Sequence, residues 1–180
     1  MTFDLASRFI DRSRHYLAVE YPAKIAAAVR AMPADRLWWR PHASANSAGN
    51  LLLHLSGNVR QWIVCGVGGA HDTRHRDAEF AALDGADAET LLRGLVVACN
   101  EADAVLATLT ADMLTESRGI QGRDTSVFAA IYHVVEHFSG HTGQLILLAK
   151  MFAPDAVRFY DDTDGLARPL FLAHGAHDVD

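Results

Sequence analysis

Apolar residues recur at helical spacing in four long stretches and no segment alternates as a strand would, which points this chain to an all-α fold. The first stretch, roughly 3–31, carries Leu5, Phe9, Ile10, Tyr16, Leu17, Val19, Ile25 and Val29. Pro22 lies inside it and is expected to kink or locally unwind the helix. The second, roughly 46–66, opens at Asn46 or Ser47 as N-cap and runs through Leu51, Leu52, Leu53, Leu55, Val59, Trp62 and Ile63 until the glycines at 66, 68 and 69 stop it. The third, roughly 87–110, begins at Asp87 or Ala88. The fourth, roughly 125–152, starts at Asp124 or Thr125 and ends at Phe152, with Pro154 beyond it. The pattern predicts a four-helix bundle over residues 1–152 and a short C-terminal tail, 153–180, that packs on the bundle or is partly disordered. The connections at about 32–45, 67–86 and 111–124 are long for a simple up-down-up-down bundle, so at least one should cross over or cover an end. In the tail, Asp161-Asp162-Thr163-Asp164-Gly165 lacks the other ligands of a calcium loop and reads as a solvated turn, and the last few residues read as mobile.

Composition narrows the function classes. With 50% hydrophobic and 21% charged residues the chain suits one soluble globular domain. A net charge of −6 with no Lys/Arg run argues against nucleic acid as a partner. No stretch reaches the roughly 20 apolar residues of a membrane span, and the charged N-terminus lacks a signal-peptide core, so the expected location is the cytoplasm. Cys65 and Cys99, far apart and without CxxC spacing, read as two reduced, buried thiols.

Histidine is the exceptional residue, at ten of 180. His133, His137 and His141 succeed one another at i, i+4 on the fourth helix. Neighbours at that spacing lie on one face about 6 Å apart, close enough for both imidazoles to reach one ion, whereas eight residues rise about 12 Å. The helix therefore offers an adjacent pair, and spacing alone does not choose between 133/137 and 137/141. His54, in Leu51-Leu52-Leu53-His54-Leu55, would by itself be a hydrogen-bonded core residue. Opposite a histidine pair on a facing helix it becomes a candidate third ligand, since bundles build metal sites from inward side chains. His15, His42, His71, His75, His174 and His177 fall near ends or in loops and read as solvated. Glu136 directly precedes His137, so the segment is not a His-Glu-x-x-His motif; it points off the ligand face, toward a surface salt bridge. Asn50, Asn58, Gln61, Thr142 and Gln144 neighbour the ligand positions. Asn58 and Gln144 are expected to satisfy backbone or interhelical hydrogen bonds, Trp38, Trp39 and Trp62 to pack in the core or a lid, and Arg40 to be solvated or to meet an anion.

Trp39-Arg40-Pro41, Ser47 through Ile63 (SAGNLLLHLSGNVRQWI) and His133 through Lys150 (HVVEHFSGHTGQLILLAK) resemble the DinB-like, YfiT-type family of metal-dependent bundles, over roughly residues 3–152. The resemblance implies an up-down-down-up bundle, often a homodimer. It also implies that His54, His137 and His141 are the ligands of one divalent ion, nickel or zinc, and so selects the 137/141 pair. Three imidazoles leave a coordination position open, the arrangement of catalytic rather than closed structural sites. Relatives act on small molecules with low-molecular-weight thiols, which implies a metal-dependent thiol S-transferase. The alternatives are a hydrolase using a metal-bound hydroxide and a non-catalytic metal-binding dimerisation module.

Overall fold

The computed structural model of the protein describes residues 4–171, and within them the chain is an all-α bundle with two small hairpins. The first bundle helix is α1 (Leu5–His15) continued by α2 (Tyr21–Ala31), joined by one π-helical stretch, Tyr16–Glu20. Pro22 explains the junction. It has no N–H to give and its ring crowds the carbonyl four residues back, and the widened turn before it relieves both without a break. The second bundle helix is α3 (Ala48–Val59), running into a π-helical segment, Arg60–Val67. Ser47 caps it: its Oγ accepts from Asn50 N–H at 3.1 Å while Asn50 Oδ1 accepts from Ser47 N–H at 3.0 Å, a reciprocal capping box. After the short α4 (Arg76–Ala81) come α5 (Ala88–Leu106), capped by Asp87, and α6 (Val127–Phe152), capped by Ser126.

Side-chain pairs fix the direction of each helix. Arg14 meets Asp103 and Arg30 meets Glu89, so the first helix and α5 are antiparallel. Arg60 meets Glu101 and Gly68 abuts Val105, so the second helix and α5 run the same way. Phe9 packs on Phe128 and Tyr21 on Phe138, which makes the first helix and α6 parallel. The order is up-down-down-up. Its core is a column of fully buried side chains drawn from all four helices, among them Leu17, Ile25, Leu52, Ile63, Leu95, Ile131 and Phe138.

Two elements depart from the sequence expectation. The absence of strands does not hold: β1 (Ser117–Ile120) and β2 (Arg123–Ser126) form an antiparallel hairpin, closed by Gln121 and Gly122 at φ 53° and 72°. Two positive φ values in a two-residue turn suit the right-handed twist of the strands. Its buried Ile120 presses on Gly66, where a Cβ would lie 2.7 Å from Ile120 Cγ1. The 67–86 connection is likewise not all loop but contains α4. In the tail, Val157 and Phe159 are buried, and the acidic run starts with half-buried Asp161 in β3 (Tyr160–Asp161) and continues as an exposed turn toward β4 (Arg168–Pro169). His174, His177 and the residues expected to be mobile lie outside the described residues.

Candidate metal centre

α3 and α6 are antiparallel neighbours, which carries residues distant in sequence onto one level of the bundle. His54 from α3 meets His137 and His141 from α6, with ring centroids 4.9 and 5.1 Å away, and the two α6 rings are 4.4 Å apart. One nitrogen of each ring falls within 4.8 Å of the others. His54 Nε2 and His137 Nε2 are 2.9 Å apart. Three nitrogens sharing an ion at about 2.0–2.1 Å in tetrahedral array would be about 3.3–3.4 Å apart, so small ring adjustments suffice.

The donor chemistry fits a divalent ion. Burial drives the His137 pKa down to about 3, with the neighbouring His141, His54 and His133 adding to the effect. Burial lowers that of His141 too, against an opposing bond to Gln144. Both rings are therefore neutral near pH 7 and offer lone pairs. The His141 Nδ1–H donates to Gln144 Oε1 at 2.7 Å, leaving Nε2 for the site. His133 stays outside the cluster. Its ring lies 4.2 Å from that of Trp62, one turn beyond His137.

The residues behind His54 come from the 67–86 connection and its short helix α4. Glu79 of α4 sits 3.1 Å from His54 Nδ1 through Oε2, and Arg74 grips both Glu79 oxygens at 2.7 Å. Both side chains are nearly buried, at 4% exposure for Arg74 and 11% for Glu79. Burial alone would raise the Glu79 pKa, but hydrogen bonds from Arg74 and then His54 outweigh it and hold the carboxyl below its ordinary range. Gln61 Oε1 accepts from Arg74 Nη1 at 2.8 Å, and its amide donates to Asp72. Asn50 Nδ2 donates to the carbonyls of Glu79 and Ala82, at 2.8 Å each. No apolar periodicity marks Arg74 or Glu79, so only the fold reveals them.

Several expected roles change. Arg40 is half-buried rather than a free loop side chain: its Nη2 donates to the carbonyls of Phe80 and Ala82 and pins the end of α4. Asn58 is buried as a helix-face residue, yet its Oδ1 finds no partner among the described residues. Glu136 is exposed, off the ligand face, and makes no salt bridge among the described residues. His15 is half-buried beside Glu20 rather than solvated, and Cys65 is half-buried, while Cys99 is buried with its thiol pushed up to about 12. Trp38 packs on Gly49 and Trp39 stands edge-on to Phe152, as packing residues do.

A family model described as a protein of unknown function, DUF1572, matches residues 4–160. The chain belongs to the DUF1572 family. DUF1572 is DinB-like, in keeping with the resemblance carried by His54 and the His137–Gln144 segment. Two solved DinB-like proteins share the DUF1572 chain's fold. One, from Bacillus cereus, is 16% identical with a TM-score of 0.58, over 73% of this chain and 86% of its own. The other, from Bacillus subtilis, is 19% identical with a TM-score of 0.56, over 77% and 89%. No curated protein matches the chain. Among the described residues no helix is long and apolar enough to cross a membrane.

Proposed function

We propose that His54, His137 and His141 hold one divalent ion, nickel or zinc, and that the protein is a cytoplasmic, metal-dependent thiol S-transferase acting on a small electrophile. The observation that carries this reading is the convergence of three imidazoles from two helices, within 4.8 Å, as a three-membered group with no fourth His, Cys, Asp or Glu among the described residues. A closed structural site would use four protein ligands, and three leave room for a reactant. A divalent ion there supplies Lewis acidity that lowers the pKa of a thiol or water. The imidazoles contribute lone pairs rather than protons, since His137 and His141 are held neutral. Half-burial of both leaves their side of the cluster reachable from solvent. In the transfer, the thiol sulfur bonds to the electrophilic carbon as the bond to the leaving group breaks, and the thiol proton departs with that group.

The same reading takes the protein as a homodimer. Phe128, Tyr132 and Leu147 leave apolar area on the outside of α6, 47–62% exposed, available to a second copy. Sedimentation of the purified protein tests this, and a monomer at all concentrations refutes it.

Elemental analysis of purified protein, followed by incubation with bacillithiol, mycothiol or glutathione and a panel of electrophiles, tests the activity. We expect metal-dependent thiol consumption that falls at least about 100-fold in His54→Ala. Equal rates in that variant overturn the reading. Turnover of an ester or amide without thiol would instead establish the hydrolase, and bound metal without turnover the non-catalytic module.

A further inference from the structure

Two groups compete for one nitrogen of His54. Its Nδ1 is 3.1 Å from Glu79 Oε2 and 3.0 Å from Arg74 Nη2. A carboxylate can only accept and a guanidinium can only donate, so the two neighbours demand opposite tautomers. With the proton on Nδ1, that N–H donates to Glu79 and the Nε2 lone pair faces His137 and His141. With Nδ1 bare, it accepts from Arg74, and the proton on Nε2 points at His137 Nε2, 2.9 Å away, where an ion would have to sit. The first arrangement can ligate through Nε2, and the second cannot.

We propose that Glu79 is the positioning residue of the metal centre: it holds His54 in the Nδ1–H tautomer by engaging both the imidazole and the competing guanidinium. Arg74 stays beside His54, but its protons have other acceptors: Nε and Nη2 each donate to a Glu79 oxygen at 2.7 Å, Nη1 donates to Gln61, and Nη2 also reaches the His54 carbonyl at 3.4 Å. Glycine at residue 57 leaves the pair room beside His54. A Cβ there would collide with Glu79 Oε1 and stand 2.8 Å from Arg74 Nε. Gly57 thus forms the cradle through which a buried ion pair approaches the ligand helix. This inference rests on the reading of the three histidines as a metal site, but its primary measurement does not require metal.

Long-range 15N–1H spectra of the imidazoles in the chelator-treated full chain report the His54 tautomer. Wild type is expected as Nδ1–H. Glu79→Gln keeps the shape, but its amide can accept from Arg74 and donate to Nδ1, so His54 should switch to Nε2–H. Gly57→Ala, which evicts the pair sterically, should also lose the Nδ1–H signature. Titration with Zn2+ against a competing chelator should then show binding about 10–100-fold weaker in both variants. An unchanged tautomer in Glu79→Gln, or wild-type zinc affinity in both variants, overturns the proposal. Should wild-type protein bind zinc no better than His137→Ala, the metal reading itself fails, while the tautomer spectra still decide the role of Glu79. If Gly57→Ala does not fold, the isosteric Glu79→Gln carries the test alone.

Discussion

An imidazole packed among other imidazoles has little room for a proton. His137 is the extreme case, with its pKa brought from 6.5 to about 3 by burial first and by His141, His54 and His133 after it. The folded state therefore binds fewer protons than the unfolded chain across that interval. Stability contributed by the neutral ring is complete above about pH 6.5 and is lost as pH falls toward 3. His141 and His133 are shifted in the same direction. Thermal melts of chelator-treated protein should show Tm decreasing from pH 7 to pH 4, with a shallower slope in His137→Gln; equal slopes would show that the ring is not held neutral. At this scale the chemistry was readable in part. Helix rise excludes 133 with 141, but only the antiparallel level of α3 seats His54 beside 137 and 141 and places His133 against Trp62. Glu79 and Arg74 carry no spacing that would mark them, because their partner is twenty or more residues away on another element.

Among the elements, the four long helices declare themselves because each must bury an apolar stripe, and Ser47 and Asp87 sit where capping chemistry puts them. α4 and the β1–β2 hairpin do not. α4 has six residues, too few to stand alone, and is held from outside by Asn50 and Arg40 through the carbonyls of Glu79, Phe80 and Ala82. The hairpin has four-residue strands with Ile120 as their buried apolar anchor, and its Gln-Gly turn lacks the stronger Asn-Gly signal. Asn50 serves two masters, the α3 cap and the tether of α4. Asn50→Ala should cost about 1–3 kcal/mol in urea unfolding, combining a lost cap interaction with unmet carbonyls. Amide exchange at 76–82 should accelerate more than elsewhere in the protein; protection unchanged over α4 would show that Asn50 does not tether it. Ile120→Ala, emptying the contact on Gly66, should cost about 2–4 kcal/mol, read in the same way.

For the molecule as a whole, the metal reading has a thermodynamic signature. A ligand that binds only the folded state at 100 times its Kd adds about 2.7 kcal/mol, which for a chain of this size is about 5–10 °C in Tm. Zinc or nickel should raise Tm by that order, chelator should reverse the rise, and His54→Ala should abolish it; an equal rise in the variant would place the ion elsewhere. The up-down-down-up order was expected from the family resemblance, and the residue pairs linking the helices now establish it, since periodicity reports faces and not directions. That order also governs timing. His54 and His137 are 83 residues apart, so at about 5–20 residues per second of synthesis they leave the ribosome about 4–17 s apart. Until α6 emerges, the nascent chain offers only one of the three clustered imidazoles, His54. If the three histidines hold an ion, its choice thus falls after α6 has emerged, to whichever divalent ion the assembled bundle meets.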